Sequence, residues 1–284
     1  MDTIFILFQH IVPQHLLSRC TGWLAELRQP VWLKNWVIGL FVRHFNVDMS
    51  EAVEPDYERY GNFNEFFTRP LVEGARPIAQ ADIVCPADGA VSQLGEIREG
   101  LCFQAKGKYF STEELLGGDD ARASLFAGGQ FATIYLSPKD YHRVHMPLAG
   151  RLSATSYIPG KLFSVNGVTA ENVDRLFARN ERLVCHFDTE AGPMAMILVG
   201  AMVVAGIETV WSGQVAPPPK HPLVTDFADL PAPVELAKGQ EMGRFKLGST
   251  VILLFPKDAM AWDETYAASS PTRLGESLGS FNAK

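Results

Sequence analysis

Cysteine is scarce in this chain. The four present, Cys20, Cys85, Cys102 and Cys185, form no CxxC pair. A disulfide framework is thereby excluded, and buried or free thiols in a reducing compartment are expected. Basic residues are not in excess: the formal net charge is −7, so no nucleic-acid partner is expected. No apolar run reaches the roughly 20 residues needed to cross a bilayer, because Lys34 and Asn35 interrupt the longest one. The start, MDTIFILF, has an acid at position 2 and no basic region, which argues against a secretory signal. Long repeats and low-complexity tracts are also missing. With 47% hydrophobic and 20% charged residues over 284 positions, the composition excludes disorder and allows one large domain or two modest ones. Cytoplasmic placement is the default reading.

The first 47 residues depart from the rest. Arg19, Arg28, Lys34 and Arg43 outweigh Asp2 and Glu26, giving +2 and leaving −9 for the remainder. Pro13 is placed to open a helix, and Leu16, Leu17, Cys20, Trp23, Leu24 and Leu27 follow one apolar face. A second helix is predicted over Val31–His44. Three of the five tryptophans lie here beside basic residues. That composition suits either a helix lying on a membrane or ordinary helices packed on a core.

From about Ile83 the texture turns to short apolar runs broken by Gly, Pro and Asp. Strands are predicted at Ile83–Cys85, Ala90–Gln93, Phe131–Leu136, Leu183–Phe187, Met194–Val204 and Val251–Phe255. The last, apolar throughout, is expected to be buried on both faces. A short helix is predicted at Glu171–Ala178 and a loop at Gln214–Pro233. The fold class is therefore α+β, mainly β, behind a helical N-terminus.

Four patterns could carry chemistry, and each has a plain alternative. Pro86-Ala-Asp-Gly89 holds a possible catalytic Asp88 or a simple Asp-Gly turn. Tyr141-His-Arg-Val-His145 puts two histidines in one short loop without the further ligands a metal site needs. Lys246-Leu-Gly-Ser-Thr250 is a turn into a strand, or a serine beside an open glycine carbonyl. Phe66-Phe-Thr-Arg69 with Arg76 is core with surface ion pairs, or an anion site. An Asp, a His and a Ser from distant segments suit an activated nucleophile.

Together the patterns resemble the bacterial-type phosphatidylserine decarboxylase family. The resemblance runs in order through Phe66-Phe-Thr-Arg-Pro-Leu71 with Arg76-Pro-Ile78, Pro86–Gly89, and Leu136-Ser-Pro-Lys-Asp-Tyr-His-Arg-Val-His-Met-Pro147. It continues through Pro159-Gly-Lys-Leu-Phe-Ser-Val-Asn166, Leu176-Phe-Ala-Arg-Asn-Glu-Arg182, Gly200–Gly206 with Ile207-Glu-Thr-Val-Trp211, and Lys238–Thr250. It covers about residues 60–255. Stretches after Pro256, beyond Thr272-Arg-Leu-Gly275, carry little signature and are expected to lie apart from the site.

The resemblance implies self-cleavage between Gly248 and Ser249 into a 1–248 β chain and a 249–284 α chain. Ser249 would be converted to a covalent pyruvoyl group, the cofactor (a bound pyruvate). His145 would be the general base, Asp88 its orienting acid, and His142 a substrate-side histidine assigned to reprotonate Cα. The pyruvoyl carbonyl would take the serine amine of phosphatidylserine as a Schiff base and act as electron sink. No metal is implied. The implied fold is a β-rich core like the barrel-sandwich hybrids of lipoyl domains, with residues 1–60 membrane-associating and 61–284 catalytic. The implied assembly is a heterodimer of the two cleaved chains, paired as a homodimer on the cytoplasmic side of the cell membrane. A serine hydrolase using the same Asp, His and Ser, or a non-enzymatic lipoyl-like module, are the alternatives.

Overall fold

In a computed structural model of the chain, residues 2–202, 206–215, 221–228, 230–246 and 248–282 are described. Residues 203–204 of the predicted strand, 216–220 and 229 of the predicted loop, and Leu247 beside the expected cut lie outside them. Three helices open the chain: α1 (Asp2–Ile11), α2 (Gln14–Ala25) and α3 (Val31–Phe45). Pro13 caps α2 as its fixed φ allows. Helix α3 ends one residue beyond the prediction, where Asn46 turns left-handed at φ 56°. Helix α4 (Phe63–Phe67) starts at Asn62, whose side chain accepts from Glu65 N at 2.8 Å. Ala25, Ile38, Val47, Tyr60, Phe63, Phe66 and Phe67 make a small core between these helices. The outer face stays bare: Ile11 is 81% exposed, Trp32 71% and Trp23 66%.

The body is strand. Those that carry the argument are β1 (Gly89–Glu96), β2 (Gln130–Leu136), β3 (Arg143–His145), β4 (Gly150–Ile158), β5 (Arg182–Thr189), β6 (Gly192–Val199), β7 (Gly206–Thr209), β8 (Leu223–Asp226), β9 (Glu241–Lys246), β10 (Ser249–Phe255) and β11 (Pro271–Thr272). A nine-stranded sheet runs β8-β4-β5-β6-β10-β2-β1-β11, with Glu235–Leu236 also on β4. A four-stranded sheet runs Gly213–Gln214, β7, β9, β3. Their ladders are antiparallel, and among the described strands neither sheet closes into a barrel. The architecture is α+β, mainly β.

Strand β10 is central, and its apolar run follows from that position. Val251, Leu253 and Phe255 enter one core, while Ile252 and Leu254 enter the other on the opposite face. Each such side chain, fully buried, contributes about 1.5–3 kcal/mol. The strand predicted at Met194–Val204 ends earlier, at Val199, and two further elements differ from expectation. The predicted helix Glu171–Ala178 is two short ones, Gly167–Asn172 and Leu176–Arg179. Between them Arg175 turns to φ 53°, and the buried Gln104 side chain bonds Ala170 O, Val173 O and Leu176 N in place of helical partners. Within the predicted loop Gln214–Pro233, β8 adds to the sheet edge; all four of its residues are exposed, so there is no apolar alternation to read.

Candidate active site

The two sheets are joined by two connections lying side by side. Ser249, first in β10, pairs with Leu136, last in β2. At the other sheet, Phe245 N donates to His142 O at 3.0 Å, and Glu241 pairs with His145. Residues 137–142 and 246–248 therefore leave one sheet together and enter the other together. The first connection brings the histidines and the second brings Gly248–Ser249. The histidine loop is thus half strand: Arg143–His145 joins the smaller sheet. Gly248 has φ +37°, while a Cβ there would meet nothing within 4 Å; glycine is required for conformation, not for space.

Ser249 is fully buried, and among the described residues its Oγ has no hydrogen-bond partner. Thr250 Oγ1 and His142 Nε2 share that condition. Leaving a buried hydroxyl unbonded costs about 1–3 kcal/mol, and an unbonded serine at the start of a strand calls for a functional account.

Both histidines are neutral, and among the described residues Nε2 of His142 has no partner. His142 Nδ1 lies 2.8 Å from Asp140 O, and a carbonyl only accepts, so Nδ1 carries the proton. Its ring centroid is 4.0 Å from that of Phe67, and burial pushes its pKa down to about 3. His145 Nδ1 faces Gly239 O at 2.8 Å, again fixing the proton on Nδ1. Burial lowers its pKa below the ordinary histidine value. The Tyr141 hydroxyl, which burial keeps protonated by raising its pKa to about 12, stands 3.4 Å from His145 Nε2.

Asp88 ends the segment before β1. Arg76 Nε donates to both its oxygens at 3.0 Å and Nη2 to Oδ2 at 2.6 Å, and Leu274 N adds a bond at 2.8 Å. Arg76 also reaches Glu51 at 2.7 Å, which Arg273 holds from the far side at 2.8 Å. Gly89 is no hairpin turn. At φ +155° its backbone passes so close to β2 that a Cβ would sit 2.2 Å from Tyr135 O, so any larger residue would push Asp88 out of place. One strand, β2, separates β1 from β10, so the ends bearing Asp88 and Ser249 are about 10 Å apart. His145 N donates to Pro86 O at 2.9 Å.

The fold thus brings Asp88, His142, His145, Gly248 and Ser249 to one end of the sheets. Among the described residues, however, no hydrogen bond links Asp88, His145 and Ser249; Asp88 acts on His145 through charge. The Gly239 carbonyl orients the imidazole instead. Sequence reasoning missed that carbonyl, the partnership of Arg76 with Asp88, and Tyr141 as a neighbour of His145. Arg76 and Tyr141 stood inside quoted motifs, but nothing in a string reveals a pairing across distant segments. Of the C-terminal stretch, Thr272-Arg-Leu-Gly275, which carries the family signature, reaches the site: Thr272 pairs with Gly89 and Leu274 bonds Asp88. The Phe66–Phe67 pair is core, and Arg76, half-buried, pairs with Asp88 and Glu51. Among the described residues no cluster of three metal-ligating side chains occurs.

A β-rich enzyme with a buried serine and two neutral histidines at one seam is the class these features define. The family model described as Phosphatidylserine decarboxylase matches residues 63–280, and a model described as PSD matches residues 4–46. The chain is 59% identical over 279 residues to the phosphatidylserine decarboxylase proenzyme of Ectopseudomonas mendocina, covering 97% of each. It is 59% identical to the proenzyme of Stutzerimonas stutzeri, covering 98% of this chain and 94% of the relative. With that of Azotobacter vinelandii it shares 58%, covering 98% of each. The chain belongs to the phosphatidylserine decarboxylase family.

Proposed function

We propose that this chain is made as a proenzyme, cuts itself between Gly248 and Ser249, and then converts phosphatidylserine to phosphatidylethanolamine in phospholipid synthesis. The observation that carries the proposed cut is the buried, unbonded Ser249 Oγ directly after left-handed Gly248. In this reading Nε2 of neutral His145 takes the Ser249 hydroxyl proton, as a base already freed by its Nδ1 bond to Gly239 O. Oγ then attacks the Gly248 carbonyl, and an ester replaces the peptide bond. Elimination leaves Gly248 as a carboxylate and residue 249 as a dehydroalanine; water then releases its nitrogen as ammonia. Asp88, held by Arg76, supplies negative charge that favours the imidazolium formed meanwhile.

The product at residue 249 would be a pyruvoyl group. The surroundings fit it in one respect: Nε2 of His142, on the connection that runs beside Gly248–Ser249, is a buried polar atom without a partner among the described residues. Such a group supplies an electron sink for the pair left on Cα when carbon dioxide departs. We assign to His142 Nε2 the delivery of a proton to Cα, taken up from solvent at that atom because the imidazole's own proton is held on Nδ1.

Among the described residues no helix is long and apolar enough to cross a membrane. The exposed indoles of Trp23, Trp32 and Trp36, amid the basic residues of the segment, support residues 1–60 as a membrane-associating part and 61–284 as the catalytic part, on the cytoplasmic side of the cell membrane. The cleaved chains would remain a heterodimer, and two of these would form the homodimer. The hydrolase and lipoyl-like alternatives have no support among the relatives. Intact mass tests the cut: fragments ending at Gly248 and beginning with a blocked residue 249 are expected, and a Ser249→Ala chain should stay whole. A folded wild-type chain that stays whole would overturn the reading.

A further inference from the structure

Helices α1 and α2, the segment after β4 and the helix Leu176–Arg179 line an open cavity of about 360 Å³ with a cationic lining. Arg19 of α2, Lys161 in the segment after β4, and Arg179 contribute charge, and the imidazoles of His10 and His15 join them. No carboxylate lines it. Among the described residues Arg19, Lys161 and Arg179 have no ion-pair partner; Arg179 reaches the Asp174 carbonyl, at 3.4 Å. Asp174 bears on Arg179 and buried Glu181 on His15, but neither lines the cavity, and its basic wall is an arrangement that an anion would relieve.

Buried bonds fix these groups. Gln9 and Gln14, both buried, accept from Ser164 N at 2.7 Å and Leu162 N at 2.8 Å, fastening α1 and α2 to the segment that carries Lys161. Phe163 lies between, with His10 edge-on at 5.0 Å and the Arg179 guanidinium over its ring at 5.1 Å. Phe8, Ile11 and Leu16 on the same two helices are exposed. The cavity therefore combines an anion-binding interior with an apolar surround.

It also lies at the Ser249 end of the sheet. Lys161 O accepts from Glu181 N, and Glu181 O accepts from Gly200 N, both at 2.8 Å. Gly200 follows Val199, which pairs with Thr250. Two strands, β5 and β6, thus lie between Lys161 and the strand that Ser249 begins.

We propose that this cavity binds the phosphate of a non-substrate anionic phospholipid in the bilayer, seating the enzyme with its reactive end at the membrane. This rests on the reading of the chain as an enzyme of membrane lipids. Arginine forks match phosphate oxygens, and basic pockets beside apolar helices are suited to lipid headgroups. The apolar side chains of α1 and α2 would lie against the acyl region.

The test uses cleaved protein and vesicles of phosphatidylcholine with or without phosphatidylglycerol, scored by co-sedimentation. Arg19→Gln, Lys161→Gln and Arg179→Gln should each weaken binding to the phosphatidylglycerol vesicles by about fivefold, and the triple variant by about a hundredfold. Binding to pure phosphatidylcholine should be unmoved, and intact mass should show each variant still cut at Gly248. Undiminished binding to phosphatidylglycerol vesicles by a cut triple variant would overturn the proposal. So would a KM for phosphatidylserine raised as much in detergent micelles as in vesicles, which would place the cavity in substrate recognition. Release of wild-type protein by inorganic phosphate, at an ionic strength where chloride does not release it, would mark a free-anion site and also count against it. Failure of the enzymatic reading appears separately, as wild-type protein that binds these vesicles yet neither cuts itself nor decarboxylates.

Discussion

Lowering the pH tests whether His142 is neutral inside the fold. Its ring is fully buried, and burial pushes its pKa from the ordinary 6.5 down to about 3. As acid is added the unfolded chain takes the proton first, so this group's contribution to stability is whole above about pH 6.5 and is lost as pH falls towards 3. At pH 5 the imbalance is worth about 2 kcal/mol. His186, buried with a pKa pushed down to about 4, should cost about 2 kcal/mol more at the same pH. The assay is urea unfolding of a Ser249→Ala chain, which stays one species, at pH 8 and pH 5 with and without His142→Gln. The added substitution should shrink the difference between the two pH values by about 2 kcal/mol, whatever it does to stability at pH 8. An undiminished difference would refute the reasoning, because His142 would then be accepting its proton in the folded chain.

The histidines should separate by reaction. His145→Ala should slow self-cleavage by about 10²–10⁴-fold, read as the rate at which the whole chain disappears by mass. His142→Ala should cut normally yet lose decarboxylation, and steady turnover by that variant would remove His142 from the chemistry. Two glycines should separate by cause. Gly89→Ala drives a methyl against Tyr135 O, where the Cβ would be 2.2 Å away, and should displace Asp88 and slow the cut by about a hundredfold. Gly248→Ala has open space and should cost only backbone strain, about 1–3 kcal/mol, seen as a lower urea midpoint in the Ser249→Ala background.

The strands with strong sequence signals were legible because burial on both faces leaves a run with no polar residue, as in Val251–Phe255. The histidines and Ser249 were legible as motifs, but their relation was not. The predicted Asp-His-Ser arrangement assumes direct bonds. In the folded chain Arg76 occupies Asp88 and a backbone carbonyl occupies His145, and a carbonyl has no residue identity for a sequence to display. The break in the helix predicted at Glu171–Ala178 depends on Gln104, 66 residues before Ala170. Edge strand β8 has no buried face and hence no pattern. The role of Thr272–Leu274 escaped for the opposite reason: what it gives Asp88 is one backbone N–H, which almost any residue could supply.

The position of the proposed cut within the sheet explains how one bond can break without loss of the site. Ser249 begins a strand that pairs with β2 through all seven of its residues and with β6 through Thr250–Leu254. Those ladders, and the two cores that β10 enters, do not include the Gly248–Ser249 bond. Scission there would open the chain directly after left-handed Gly248. The new terminus at 249 would stay clamped between β2 and β6, beside the loop that carries His142. On the other side of the cut, β9 remains paired with β3 and so keeps His145 in place. The C-terminal piece also carries Leu274, whose N–H holds Asp88, so the two fragments share the site. A cut inside β10 would lose these ladders, and a cut in an exposed loop would leave the serine far from both histidines. The seam between the sheets avoids both failures.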